Sequence, residues 1–246
     1  MKDPVDLLPS NRTPLGKLLR LPLQLLPRGR VVPVLAGPNA GMKWILGSGP
    51  ASCWLGINEV SKRRLFSRIV RPGSTVFDVG ANVGSYSLQA ARLCGSGGHI
   101  IAFEPAPENL AFLRRHVELN RLSNVRVIAA AMSDSDGVAG FQCTPERVTS
   151  HLAANGSITV ECYRVDTLIE RNDVPVPDCI KIDVEGAEAA VLRGAIGLLQ
   201  THRPIVFLAT HGHEPEVECL RILESAGYRM EPIAGLEREF IATAST

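Results

Sequence analysis

The run Val76-Phe77-Asp78-Val79-Gly80-Ala81-Asn82-Val83-Gly84-Ser85 joins an apolar segment, a carboxylate and two closely spaced glycines. An apolar strand that ends in an acid and turns through glycine into a helix presents backbone N–H groups and a carboxylate at one point, the usual cradle for a nucleotide-type cofactor. A dinucleotide fingerprint needs its second glycine two positions after the first, so that the backbone can approach a pyrophosphate. Here that position is Asn82, whose amide would crowd a diphosphate. Asp78 would also repel phosphate, whereas a ligand carrying an ammonium and ribose hydroxyls would be attracted to it. S-adenosylmethionine carries both, so Asp78, Gly80, Asn82 and Gly84 are expected to hold that cofactor.

A second acid stands about twenty positions beyond the glycine turn, the place of a ribose ligand in this kind of fold. It is Glu104, at the end of the apolar stretch His99-Ile100-Ile101-Ala102-Phe103. Asn109 in the helix that follows, and Asp134 after the third strand, complete the expected cofactor set. Either acid alone could instead cap the following helix; the pair, spaced around a glycine turn, favours cofactor binding. Polar residues recur where later strands end, in Asp183-Val184-Glu185 and in His211-Gly212-His213. Asp183, Glu185 and His211 are the catalytic candidates. Glu188, in the first turn of a helix, is expected to serve the macrodipole, Lys181 to pair with a nearby acid, and His213 to lie in a surface loop. Asp183, Glu185 and His211 offer oxygen and nitrogen donors for a divalent metal, but no tight ligand spacing in the chain demands one, and none is expected.

The elements that must position these groups follow from hydrophobic periodicity. Strands are predicted at 75–79, 99–103, 125–130, 178–182 and 204–209, and helices at 84–93, 107–120, 187–199 and 215–226. Such alternation implies a parallel sheet with helices on both faces, with ligands at the carboxyl ends of the strands. The segments Tyr228 to Ile233 and Leu236 to Ile241, around a tight Ala234-Gly235 turn, are predicted to close the sheet as an antiparallel pair. The fold class is therefore α/β: a Rossmann-like class I methyltransferase fold, with a mostly parallel, doubly wound seven-stranded sheet and a C-terminal antiparallel hairpin. Residues 137–165 alternate in polarity and are predicted to form an inserted edge hairpin. Upstream, 1–70 reads as an N-terminal elaboration on a methyltransferase domain at 71–246. It comprises an amphipathic segment, a small hairpin from Val31 to Ala36 and Met42 to Leu46, and a helix after Asn58 whose Val60, Leu65, Phe66 and Ile69 share a face.

The chain has 246 residues, enough for one sizeable α/β domain, and its formal net charge of +1 offers no electrostatic trap for nucleic acid. Its six cysteines form no C-x-x-C pair, which argues against a zinc knuckle or redox dithiol and for reduced, mostly buried thiols in a cytoplasmic protein. Residues 15–26 are leucine-rich but interrupted by Lys17, Arg20 and Pro22. They are too short to span a bilayer and lack the pattern of a signal peptide, leaving an amphipathic segment with, at most, a weak membrane-surface contact.

Four pieces together resemble the FkbM family of S-adenosylmethionine-dependent methyltransferases. They are Phe77-Asp78-Val79-Gly80-Ala81-Asn82-Val83-Gly84, Ala102-Phe103-Glu104-Pro105, Val165-Asp166-Thr167-Leu168, and Ile180-Lys181-Ile182-Asp183-Val184-Glu185-Gly186-Ala187-Glu188 with Val191-Leu192-Arg193-Gly194-Ala195 after it. The last is the most specific. The resemblance implies O-methylation of a hydroxyl on a sugar, glycolipid or polyketide-type small molecule, with no nucleic acid partner. In-line transfer of a methyl group needs a positioned hydroxyl and a base; Asp183 and His211 are the candidates, and Asp183 could equally hold the methionine end of the cofactor. The chain departs from the family at Ala209-Thr210-His211, where members often carry a glutamate. Other readings are a cofactor-fold binding protein without turnover, and transfer to a nitrogen or carboxyl acceptor.

Overall fold

The computed structural model describes residues 27–144 and 150–245. The leucine-rich segment 15–26 lies outside them. The chain forms two compact units, divided after Val60.

In the first unit, β1 (Val31–Pro33) and β2 (Lys43–Ile45) pair antiparallel, as the hairpin reading predicts, and a short helix, α1 (Ala51–Leu55), follows. Gly56 ends it at φ +77°, and a Cβ there would fall 1.8 Å from the carbonyl oxygen of Ala36.

The second unit opens within α2 (Val60–Ile69), at its second residue, and continues with β3 (Thr75–Val79), α3 (Ser85–Cys94), β4 (His99–Phe103), α4 (Pro107–Leu119) and β5 (Val125–Ile128). It continues with β6 (Ala131–Met132), β7 (Gly137–Gln142), β8 (His151–Leu152), β9 (Ile158–Tyr163) and α5 (Val165–Glu170). It closes with β10 (Cys179–Ile182), α6 (Glu188–Arg193), α7 (Ile196–Thr201), β11 (Ile205–Ala209), α8 (His213–Ser225), β12 (Tyr228–Pro232) and β13 (Glu239–Ala244). The main sheet has the order β12-β13-β11-β10-β3-β4-β5, parallel except for β13, which pairs antiparallel with β11 and β12. The chain starts in the middle at β3, builds outward to β5, and returns to β10 on the other side of β3. Ligands bind at such a switch point, outside the carboxyl ends of the strands.

Strand periodicity divides the core in two. Val76, Ile100, Cys179 and Phe207 face Phe66 of α2 and Tyr86 of α3, with Phe66 edge-on to both Tyr86 and Phe207 at 5.3 Å. Phe77, Val79, Phe103, Ile180, Ile182 and Leu208 point the other way, into a core with Val191, Leu192, Leu199 and Leu223. Asp78 and Lys181 share the first face because β3 and β10 pair Asp78 with Lys181 in register.

Three sequence expectations change. Residues 137–165 are not an edge hairpin of the main sheet; β7 and β9 join β6 and β8 in a separate four-stranded sheet, which packs on its own cluster around Phe141, Val160 and Cys162. The helix predicted at 187–199 is two helices. At Gly194 a Cβ would meet the Ser133 carbonyl oxygen at 1.9 Å, and Asp166 accepts the Gly197 and Leu198 N–H groups at 2.8 and 2.9 Å, starting α7 afresh. Finally, β13 begins three residues later than expected, at Glu239. Ile233 and Leu236 fold into a turn in which Leu236 donates to the Ile233 carbonyl at 3.1 Å, and the buried Ala242 then sits opposite Val206.

One link ties α4 to the glycine turn. His116, fully buried, donates from Nδ1 to the Val83 carbonyl at 2.7 Å. Burial lowers its pKa to about 4, against the opposing pull of that hydrogen bond. The unfolded imidazole titrates near 6.5, so below that pH the unfolded chain binds a proton that the native state refuses. The stabilising preference for neutral His116 is intact above pH 6.5 and is lost as pH falls toward 4, a total of about 3 kcal/mol. Urea unfolding measured from pH 7.5 to 4 is expected to show this loss and His116→Gln to flatten it; equal slopes in the two proteins would assign acid sensitivity elsewhere.

Candidate active site

At the tip of β3 the backbone leaves the sheet through Gly80 at φ +74° and Asn82 at φ +52°, and enters α3 at Gly84. The Gly80 and Ala81 N–H groups both donate to the Phe103 carbonyl, at 3.1 and 2.9 Å, which anchors the turn to β4. Glu104, the next residue on that side, accepts the Asn82 N–H at 2.7 Å, the Ala106 N–H at 2.9 Å and the Asn109 amide at 3.4 Å. The structure therefore brings Gly80, Asn82, Gly84, Glu104 and Asn109 together. Burial raises the Glu104 pKa, against those hydrogen bonds. A carboxylate has about four lone-pair sites, and three are used, so Glu104 retains acceptor capacity for a ribose hydroxyl.

Asp78 lies deeper than its place in the sequence implies, at 1% exposure. Its Oδ2 accepts from Ser87 at 2.6 Å, and its Oδ1 lies 3.3 Å from the Lys181 ammonium with no hydrogen-bond donor among the described residues. Lys181 donates in turn to the Gly80 carbonyl at 2.7 Å. The acid thus holds a lysine that holds the turn. Asp134 stands apart from this group: it follows β6, is 41% exposed, and pairs with Arg193 at 2.9 Å.

The carboxyl ends of β10 and β11 gather the second group. His211 Nε2 is 3.7 Å from Asp183 Oδ1 and 3.5 Å from Glu185 Oε2, while its Nδ1 meets Glu188 Oε1 at 2.7 Å. Asp183, Glu185 and His211 are 23%, 28% and 35% exposed, whereas Glu188 is fully buried. Three of these side chains can meet a ligand, and the fourth acts through the imidazole. Glu185 itself is held at φ +56°, followed by Gly186 at φ +104°, a turn that Glu188 fixes by accepting the Gly186 N–H at 3.0 Å. On the far side of Asp183, Oδ2 lies 3.8 Å from Lys181 and 4.0 Å from Lys62, which also pairs with Glu239. Lys181 thus links the two groups, Asp78 and the glycine turn to Asp183.

The local charges set the protonation of this group. Burial works against the Asp183 carboxylate, but Lys181, Lys62 and His211 hold its pKa below the usual range. Glu185 is pushed up, first by desolvation. His211 is pushed up chiefly by its hydrogen bond to Glu188, against desolvation, with the Asp183 and Glu185 charges adding to the rise.

Several participants escape a reading of the sequence. Glu188 is at the helix start, as expected, but its main partner is His211. Lys62 and Arg63 are fully buried, Arg63 donating to Gln89 and Ser85 Oγ, each at 2.8 Å. Their signal is present in the chain, since they precede Phe66 by four and three positions and so share its inward face.

Residues 78–230 match the family described as the methyltransferase FkbM domain. Hexuronic acid methyltransferase AglP from Haloferax volcanii is 28% identical over 72% of each chain. The 31-O-demethyl-FK506 methyltransferase FkbM from Streptomyces tacrolimicus is 31% identical over 51% of this chain and 60% of its own. The 2-O-methyltransferase NoeI from Sinorhizobium fredii is 26% identical over 54% of this chain and 61% of its own. The chain thus spans about three fifths of the last two relatives. Among solved structures, a SAM-dependent O-methyltransferase from Thermotoga maritima superposes with a TM-score of 0.52 over 94% of this chain and 82% of that one, at 13% identity. A methyltransferase FkbM from Methylobacillus flagellatus does so with 0.50 over 79% and 55%, at 16% identity. These two share the fold. No helix among the described residues is long and apolar enough to cross a membrane.

Proposed function

The chain belongs to the FkbM methyltransferase family and is an S-adenosylmethionine-dependent methyltransferase, and from that premise we propose that it methylates a hydroxyl of a saccharide, glycolipid or polyketide-type small molecule. The observation that carries the choice of site is the convergence of Asp183, Glu185 and His211 at the tips of β10 and β11, beside the β3 turn.

The residues present fit the cofactor. Asp78 Oδ1 is a buried acceptor without a hydrogen-bond donor among the described residues, Glu104 has an acceptor site to spare, and the left-handed backbone at Gly80 and Asn82 opens the turn. When bound, the cofactor supplies an electrophilic methyl group on a sulfonium. Glu104 would take the ribose hydroxyls, with Asn109 steadying its carboxylate. Asp78 acts through Lys181, which fixes the Gly80 carbonyl and with it the height of the turn. Asp183 and His211 present the acceptor atoms for the hydroxyl proton, with Glu185 beside them. Glu188 orients the imidazole by accepting from Nδ1, which aims Nε2 at the substrate side. Proton removal as the oxygen attacks is worth about 10²–10⁴-fold, and alignment of the oxygen with the methyl carbon supplies the larger part of the rate.

The similarity to the hexuronic acid methyltransferase AglP, over 72% of both chains, favours a second reading in which the acceptor is a hexuronic acid, a substrate class that offers a carboxylate as well as hydroxyls. One experiment separates the two. The protein is incubated with methyl-labelled S-adenosylmethionine and a panel of glycosides, uronates and hydroxylated polyketides, and the product is treated with mild alkali. An ether keeps its label, the expected result; release of labelled methanol would establish the ester. No label transfer to any acceptor by folded protein would move the non-catalytic binding role forward.

Cofactor recognition has its own test. Glu104→Gln is expected to weaken S-adenosylhomocysteine binding about 10- to 100-fold, since a hydrogen bond to a charged group contributes about 1.5–3 kcal/mol. Titration calorimetry reads this directly, and an unchanged affinity would remove Glu104 from the cofactor site. Asp134→Asn, exposed and paired with Arg193, is expected to change that affinity far less.

A further inference from the structure

Among the described residues, one His211 ring nitrogen, one Asp183 oxygen and one Glu185 oxygen form a set in which every pair of atoms lies within 4.8 Å. The separations of His211 Nε2 from Asp183 Oδ1 and Glu185 Oε2, 3.7 and 3.5 Å, are too long for good hydrogen bonds. The ring is not free to turn toward either oxygen, because Nδ1 is tied to Glu188 at 2.7 Å and Glu188 is tied to the Gly186 N–H at 3.0 Å. Three donors thus converge without bonding one another.

We infer that Asp183, Glu185 and His211 form a binding site for one divalent cation of the manganese or magnesium type. Three observations carry this. First, Glu188 is a fully buried carboxylate on the far ring nitrogen of His211, the outer-shell arrangement that fixes the tautomer and direction of metal-binding histidines. Second, Glu185 stands in the cluster with its backbone held at φ +56°, a conformation that costs free energy and is found at functional sites. Third, the chemistry of the donors is selective: two carboxylates and one imidazole, with no thiolate, suit a hard to borderline dication. Ligands about 2.1 Å from such an ion lie about 3 Å apart in octahedral geometry, so the two imidazole–carboxylate separations of 3.7 and 3.5 Å are close to that spacing. Two cationic groups face the cluster, Lys181 and Lys62, and both approach Asp183 from Oδ2, at 3.8 and 4.0 Å. Oδ1, on the His211 side, remains for the cation. Three protein donors would leave three positions of an octahedral ion for water and for the oxygen of an acceptor.

This inference concerns the same site as the proposed methyl transfer, but it rests on the donor geometry alone. With a cation on Nε2, the imidazole ceases to be a candidate base; a hydroxyl bound there would be acidified instead and would lose its proton to solvent water.

The test is a titration of the full chain, free of S-adenosylmethionine and acceptor, with Mn²⁺, followed by the loss of the free-ion electron paramagnetic resonance signal. One equivalent bound per chain is expected. Glu188→Gln, which loosens the imidazole without removing a ligand, is expected to lower the affinity about 10- to 100-fold, and Asp183→Asn with His211→Asn to abolish stoichiometric binding. Circular dichroism checks the fold of each variant. A folded wild-type protein that leaves the Mn²⁺ signal unchanged would overturn the site, as would equal uptake by wild type and the Asp183→Asn, His211→Asn protein. Because neither substrate is present, failure here leaves the methyl-transfer reading standing, and failure of methyl transfer does not alter the Mn²⁺ result.

Discussion

Asp183→Asn is expected to lower the rate of methyl transfer about 10²–10⁴-fold, the range for removing a group that handles the substrate proton, with a much smaller effect on S-adenosylhomocysteine affinity. Asparagine keeps the shape of the side chain but loses the charge and one acceptor. The fold should survive the change, because each buried ammonium beside Asp183 keeps another anion: Lys181 retains Asp78 at 3.3 Å and Lys62 retains Glu239. The stability cost is expected to be about 1–3 kcal/mol, the value for weakening hydrogen bonds to charged groups in a buried network, and assays well below the midpoint of thermal unfolding remain valid. Three measurements separate the possible roles. A fall in kcat with unchanged cofactor affinity places Asp183 at the acceptor. A fall in cofactor affinity of the same size as the fall in kcat/KM would instead place it on the methionine end of the cofactor. Wild-type turnover would exclude both, and His211 and Glu185 would then have to carry the chemistry without it.

How much of this site is legible in the chain depends on whether a signal is local. The glycine turn is visible because strand, acid, glycine and helix succeed one another within Val76 to Ser85, and each local preference points the same way. Glu104 is visible through a fixed offset imposed by one strand–helix–strand unit. The convergence of Asp183 with His211 follows from the parallel pairing of β10 with β11, which the alternation of elements predicts. Lys62 and Arg63 are different. A charged residue on a helix reads as solvated by default, and these two are buried because Tyr86 lies under both, 5.7 Å from the Lys62 ammonium and 5.4 Å from the Arg63 guanidinium. The partnership of Glu188 with His211 joins positions on α6 and beyond β11, and no spacing in the sequence encodes it. The same holds for the break between α6 and α7. Gly194 and Ala195 are compatible with one continuous helix, and the interruption is imposed by the Ser133 carbonyl and the Asp166 carboxylate, which arrive from distant segments. The start of β13 is likewise set by its neighbour β11, against which Ala242 must lie opposite Val206.

Gly80→Ala is expected to cost more than about 4 kcal/mol, a large part of the whole stability of a typical domain, whereas Gly73→Ala should cost about 1–2 kcal/mol. Both glycines have positive φ, +74° and +82°, so the intrinsic strain of an L-residue is nearly equal at the two sites. They differ in what surrounds them. A Cβ on Gly73 meets nothing within 4 Å, while one on Gly80 would fall 1.9 Å from the carbonyl oxygen of Asp183 and 2.9 Å from its carbon. Those are backbone atoms and cannot rotate away. Asp183 donates its own N–H to the Val79 carbonyl at 3.2 Å, and the Gly80 N–H is fixed to Phe103 at 3.1 Å, so neither side of the contact can yield without breaking the pairing of β3 with β10 or the anchor on β4. Glycine is required here because two strand tips, one carrying the glycine turn and the other Asp183, approach to backbone contact. Urea unfolding of the two variants measures the difference. If Gly80→Ala folds under stabilising conditions, it is expected to lose S-adenosylhomocysteine affinity and methyl transfer together, because relieving the clash moves the turn and Asp183 at once. A Gly80→Ala protein no less stable than Gly73→Ala would show that the strand tips are farther apart than described, and with them the two halves of the proposed site.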